Sequence, residues 1–411
     1  MWGLFGVGDY RSTRFLEGMR RTSITYRCLL PVFTGCLLSS CIEPFEVTFR
    51  DFESALVIQA MITNEMKPQQ ILLSRTYKFE DEGLTGESGA TVMVAGSNGS
   101  SFVFEEMEKG TYLSTVDFAA EEGVDYTLSI ITGDGRSYSS ASSKLAGEVG
   151  IDSLYARRII NDFEEEGIGI FTSSLNTNGT PNFFRFEYEE TYKIIAPEWA
   201  PRELEVNEDT YPPSIYIGTR SLDERVCYAT NLSNRIILTD TNDFDTGQVE
   251  NFMVKFIEQN NFVTTHRYSI LVRQYSHTSA AYTFLETLNS FSSSESLFSE
   301  TQPGFLQGNI SSEDDSSEKV LGFFDIVAVS EKRIFFGYRD FFPTERLPDY
   351  IDPCVYAAPV AGLIDLIRWD LVKFINENDG SVGGGPYITV PQVCGDCTVL
   401  GSPEMPDFWK E

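Results

Sequence analysis

Between residues 55 and 140, short apolar runs recur at regular spacing, each broken by glycine or polar turn residues: ALVIQAMI, ILLSRT, ATVMVAG, SFVFEE, TYLSTV, YTLSIIT and, after Gly133-Asp134-Gly135, RSYSS. In YTLSIIT the residues Tyr126, Leu128 and Ile130 share one face, the period of two that a half-buried strand requires. So many short strands in so little chain predict a small β-sandwich over residues 55–145. The serine-rich SSASSKLAGEVG (139–150) reads as a linker. A larger β-rich domain is expected over 151–411, with strands at NFFRFEYEETYKII, VCYATN, RIILT, NFMVKFIE, RYSILVRQY, FLQGNI, VLGFFDIVAV and RIFFGY. Two amphipathic helices interrupt them. One covers about Ser279–Asn289, with Tyr282, Leu285 and Leu288 on a stripe; the other covers Gly362–Asn376, with Leu363, Leu366, Ile367, Leu371 and Phe374 at helical spacing. The fold class is mainly β.

The amino terminus sets the compartment. LLPVFTGCLL (29–38) has the length of a signal-peptide core, well short of the roughly 18 apolar residues of a spanning helix. Arg20, Arg21 and Arg27 precede it, so Met19 serves as a start. Leu38-Ser39-Ser40-Cys41 resembles a bacterial lipobox, in which the cysteine becomes the first mature residue and carries lipid. Residues 1–40 are then a signal peptide and 41–54 a lipidated tether. Acyl chains on Cys41 give stable anchoring at roughly 0.8 kcal/mol per buried CH₂. Removing residues 1–40 leaves 26 basic against 59 acidic side chains. So acidic a surface excludes nucleic-acid binding, which needs a basic face.

Four cysteines remain for the mature chain: Cys227, Cys354, Cys394 and Cys397. In an exported protein an even number reads as disulfides. Bridging Cys394 to Cys397 strains the geometry, which favours the two pairings in which Cys227 and Cys354 each reach one member of that CxxC. Either would pin the carboxyl terminus, PDFWKE. The flanks of the CxxC show no helical pattern, which weighs against a redox motif.

Catalytic signatures are missing: there is no HExxH, GxSxG or phosphate-binding GxxxxGK[ST]. The two histidines, His266 and His277, sit before a strand and near a helix start, where a polar edge position is the ordinary role. No enzyme activity is expected, and no cofactor beyond the lipid on Cys41. Asp240, Asn242, Asp243 and Asp245 offer hard oxygens for calcium, but Phe244 stands where an EF-hand needs a ligand; Asn376–Gly380 is similarly loose. Solvation is the usual fate of such loops. Two proline-containing loops, 197–213 and 338–350, carry aromatics and charge without strand alternation. They read either as covers over the core or as partner contacts through Trp199, Tyr211, Phe341, Phe342 and Tyr350.

Taken in order, LVIQAMITNE, ILLSRT, GATVMV, GTYLS, YTLSIITGDGRSYSS, IDSLY, CYATNLSNRIILT, YSILVRQYS, AYTFLETL, FLQGNI, VLGFFDIVAVSEKRIFF and CGDCTVLGSPEMPDFW resemble the lipoproteins grouped as domain-of-unknown-function family 4249, across nearly all of residues 55–409. The resemblance implies an immunoglobulin- or transthyretin-like, carboxypeptidase-regulatory-like sandwich at the front. It also implies an outer-membrane lipoprotein of a Gram-negative bacterium, associated with barrels resembling TonB-dependent transporters. It supplies no catalytic residue set. Glu43 and Glu46 after the lipidated cysteine resemble a signal for display on the cell exterior. The expected role is a non-catalytic accessory subunit of an outer-membrane β-barrel complex, of transporter or barrel-assembly type. The alternative is a nutrient-capture lipoprotein that feeds such a transporter.

Overall fold

The computed structural model describes residues 54–77, 83, 85–174, 182–220, 224–241, 248–293 and 306–411. The expected signal peptide, Cys41 and the tether through residue 53 lie outside them. The first strands are β1 (Leu56–Thr63), β2 (Gln70–Arg75), β3 (Thr85–Gly86), β4 (Thr91–Gly96), β5 (Ser101–Glu108), β6 (Thr111–Ser114), β7 (Asp125–Ile131), β8 (Ser137–Ser140) and β9 (Ser143–Lys144). Next come β10 (Ser153–Ile160), β11 (Glu166–Ser174), β12 (Phe183–Ile195), β13 (Arg202–Asn207), β14 (Ser214–Thr219), β15 (Val226–Leu232), β16 (Ile237–Asp240), β17 (Val249–Glu258) and β18 (Tyr268–His277). Helix α1 (Ser279–Ser293) leads to β19 (Ile310–Ser312) and the long β20 (Val320–Phe336). The carboxyl-terminal part holds α2 (Tyr338–Phe341), α3 (Leu363–Arg368), β21 (Val372–Glu377), β22 (Tyr387–Pro391) and α4 (Gln392–Gly395). Among the described residues no helix is long and apolar enough to cross a membrane.

The protein is mainly β, as the sequence predicts. One sheet runs β15-β12-β18-β20-β1-β2-β6-β5-β4-β7-β8-β19. Its second half encloses a core of Leu56, Ile58, Ile62, Val92, Val94, Tyr112, Tyr126, Leu128 and Ile130, to which Phe324 and Ile326 of β20 also belong. Strands on either side of one core are compatible with the expected sandwich. Tyr126, Leu128 and Ile130 are all buried, so the period-two reading of YTLSIIT holds. At roughly 1.5–3 kcal/mol for each buried aliphatic side chain, this face alone favours the fold strongly. A second core gathers Ile168, Ile170, Phe184, Phe186, Ile270, Val272 and Phe336 between the β12-β18-β20 region and the small sheet β10-β11-β17. A third joins Leu204, Leu363 and Phe374. Strand β20 serves the first two, pairing in parallel with β1 and antiparallel with β18. Residues 54–411 form one compact unit.

Several local expectations change. The segment 139–150, read as a linker, begins inside β8 and carries β9, where Ser143 is buried. VLGFFDIVAV and RIFFGY, read as two strands, are one strand. Of the helix expected over Gly362–Asn376, only Leu363–Arg368 is helical. Asp370 adopts φ +50°, which ends the helical path, and β21 follows, burying Phe374 as a strand against β22. Leucines and phenylalanines three or four apart satisfy a helical stripe, and the next segment, Tyr387–Pro391, is not recognised from sequence as the strand that pairs with Val372–Glu377. Around the CxxC, α4 and a short 3₁₀ turn at Cys397–Val399 replace the non-helical flanks expected there.

The β1–β20 pairing depends on Gly322. It lies opposite Ile58, with φ +129°, and a Cβ added there would stand 1.9 Å from the Ile58 carbonyl oxygen. Gly322→Ala is expected to cost about 2 kcal/mol or more, since strain and clash coincide. Urea unfolding checks this, and an unchanged midpoint would contradict it.

Candidate functional site

Strand alternation that fills the first core on one side leaves the other side to line a cleft. Val57, Gln59 and Met61 of β1 point away from Leu56, Ile58 and Ala60; Leu72 of β2, Leu113 of β6 and Leu321, Phe323 and Asp325 of β20 join them. Helix α1 roofs this face. Its Ala281 and Tyr282 are buried, Tyr282 packing on Phe183 at 5.1 Å between ring centroids. Phe284, Leu285, Leu288 and Phe291 turn into the cleft, with Phe284 5.3 Å from the Phe323 ring. The cavity measures about 1170 Å³ and its walls are mostly apolar.

Polar groups are confined to particular wall positions. The strand-to-helix junction is tied to β20 by Asp325, which is buried. Its carboxylate lies 2.7 Å from His277 Nδ1 and accepts hydrogen bonds from Ser143 Oγ at 3.2 Å and Thr278 Oγ1 at 3.3 Å. Thr278 Oγ1 also accepts the Ala281 N–H and so caps α1. The Arg185 guanidinium lies over the Tyr275 ring at 4.6 Å. Its Nη1 pairs with Glu187 at 2.8 Å, and its Nη2 donates to Met61 Sδ at 3.4 Å. At the rim Lys67 pairs with Glu65.

Both disulfides are present, as Cys227–Cys397 and Cys354–Cys394, one of the two pairings that the sequence favoured. Asp352 lies beside Cys354 and Cys394, but the two sulfurs are bonded to each other and offer no thiolate to a metal. The carboxyl terminus docks as expected. Trp409 meets Tyr228 at 4.9 Å and Phe335 at 5.9 Å, and Arg333 lies 3.6 Å over the Phe408 ring.

Of the five expected contact aromatics one is buried and three are half-buried. Phe342 is fully buried, and Trp199, Phe341 and Tyr350 pack against the second core, where the Tyr350 hydroxyl donates to the Val393 carbonyl at 3.0 Å. The charges of this segment turn outward instead, as with the exposed pair Arg346–Asp349. Tyr211 alone is fully exposed, on the turn between β13 and β14. Of the calcium candidates, Asp240 ends β16, while Asn242, Asp243 and Asp245 lie outside the described residues. The loop at Asn376–Gly380 closes on itself, the Asn378 amide donating to the carbonyls of Val382 and Gly385. His266 is exposed just before β18, but His277 is no edge residue: it is buried against Asp325.

The cleft itself was missed in the sequence. The available signals were LVIQAMIT and VLGFFDIV, apolar on both faces as strands covered on both sides are, with Asp325 as the lone acid in the second. The sequence did not point to Val360 and Trp369, which are 81% and 69% exposed, or to the exposed Ile351 and Val355; Leu371, placed on the packing stripe of the expected helix, is also exposed.

A family model described as a domain of unknown function, DUF4249, matches residues 42–333. No curated protein matches the chain.

Proposed function

The chain belongs to the DUF4249 family, and from that premise we propose that it is a binding lipoprotein, held at the outer membrane through Cys41, that captures an elongated apolar ligand beneath α1 and serves a β-barrel partner there. The observation that carries this reading is the cleft. Its volume is of the order of small-molecule sites, and its chemistry matches them: apolar walls with a few fixed polar groups. The role is non-catalytic, with His277–Asp325 as a positioning pair.

A ligand that binds only the folded chain raises its melting point, by about 2.7 kcal/mol of stability at one hundred times Kd. Melts of the mature protein with single-chain amphiphiles of increasing length are expected to shift upward by several degrees, more for longer chains. Flat melts across the series would contradict ligand capture.

A second reading is the accessory subunit docked on a barrel, for which the strongly exposed Val360 and Trp369 are the candidate contacts. The two roles are compatible. A Val360→Asp, Trp369→Asp variant is expected to lose a stoichiometric barrel that the lipidated wild type retains in mild detergent. A barrel kept equally by both would count against this surface.

A further inference from the structure

Buried polar atoms in folded proteins are almost always paired. Among the described residues, two buried nitrogens without a hydrogen-bond partner belong to side chains lining the cleft: His277 Nε2 and Arg185 Nε. The His277 side chain is only 4% exposed. The register sets the two residues together. In the antiparallel pair β12–β18, Phe183 faces His277 and Arg185 faces Tyr275. Arg185 and His277 therefore occupy diagonal positions on the same sheet face, a spacing of roughly 7–8 Å. Each is held from behind, His277 by Asp325 and Arg185 by Glu187, Met61 and the Tyr275 ring.

We infer that the ligand is a single-chain carboxylic acid whose carboxyl group sits against His277 Nε2 and Arg185 Nε while its alkyl chain runs between Phe284, Leu288 and Phe323. The inference rests on the ligand-capture reading and names its ligand class. Asp325 engages Nδ1, which leaves Nε2 as the free position of the ring. One acid proton is shared between carboxyl and imidazole: the neutral acid donates to Nε2, or the proton crosses and the carboxylate accepts from Nε2–H. The composition is the same in either form, and because a long-chain acid is ionised in neutral solution its binding takes up that one proton from the solvent. Arg185 Nε–H donates to the second carboxyl oxygen. An alkyl sulfate stays ionised and can only accept a hydrogen bond, so it pairs with Nε2 solely when the imidazole has taken the proton, whereas a carboxyl group pairs with either form. A methyl ester has neither the proton nor the charge.

The test is titration of the mature protein with lauric acid, methyl laurate and dodecyl sulfate below their aggregation concentrations, repeated on Arg185→Met and His277→Gln. Lauric acid is expected to bind about tenfold or more tightly than either analogue, as charge-assisted hydrogen bonds allow. Both variants should lose that preference for lauric acid over its ester and sulfate analogues. If His277→Gln does not fold, Arg185→Met carries the comparison alone. Equal binding of the three compounds, or variants that keep the preference, would overturn the carboxyl assignment and leave ligand capture standing. Failure of all three to bind would overturn both.

Discussion

Replacing Cys227 and Cys397 by alanine is expected to lower the stability of the mature chain by about 5 kcal/mol in the loop-entropy description of a disulfide. The two residues are 170 positions apart, and both are fully buried in the second core. The bond therefore closes a loop containing about half of that core. The Cys354–Cys394 bridge, with a separation of 40, should contribute about 4 kcal/mol on the same footing. The larger loss also has a local consequence. Cys397 belongs to the segment that pairs Ser402 with Tyr228 and leads to Trp409, so the pair of alanines should expose the Trp409 indole to quencher before global unfolding. Equilibrium urea unfolding of wild type and each double variant makes the comparison. Losses below about 1 kcal/mol would mean that the bridges add little to a core that is already fixed.

Phe342→Ala is expected to cost about 3–5 kcal/mol, the range for deleting a buried phenyl ring. Phe342 is fully buried, stacked on Tyr338 at 4.8 Å, with the Arg158 guanidinium 4.5 Å over its ring. Arg158 is itself fixed by Glu166 and Glu345, each at 2.7 Å. Truncating the ring opens a cavity and also removes the surface that this ion-pair network rests on. Tyr211→Ala, at a fully exposed turn position, should change stability by no more than about 0.5 kcal/mol. The two substitutions separate the meanings of an aromatic in a charged, proline-bearing loop. Similar small losses for both would return Phe342 to the surface and contradict the packing described.

The strands of the first core were legible because each carries its own instruction: alternation in YTLSIIT fixes strand and face without knowledge of a partner, and the short apolar run LVIQAMIT between turns fixes the strand. Helix α1 was legible for the same reason, its stripe of Tyr282, Leu285 and Leu288 being local. Legibility failed where two assignments share one pattern and a partner elsewhere in the chain decides. Val372–Glu377 reads as the end of a helix until β22 is there to pair with it. The loop 338–350 reads as a contact surface until the second core closes over Phe342. The two favoured cysteine pairings could not be ranked, because the choice depends on where β15 and the carboxyl-terminal segment meet. The cleft lay beyond reach for a further reason. It is assembled from the outward faces of β1, β2, β12, β18 and β20, and neighbours such as Arg185, His277 and Asp325 are far apart in the chain. Sequence showed His277 as a polar residue beside a helix; only the fold sets it against Asp325 with one nitrogen unpaired.

The most direct test of the account is a fluorescence titration of the mature protein with a long-chain acid carrying an environment-sensitive dye, alongside Leu288→Asp. Leu288 lines the cleft and is 38% exposed, so aspartate there charges the apolar wall without entering a core. The account predicts saturable one-to-one binding with blue-shifted emission in the wild type, weakened about tenfold or more in the variant. Emission that never saturates, or equal binding by both proteins, would contradict the cleft as the functional site.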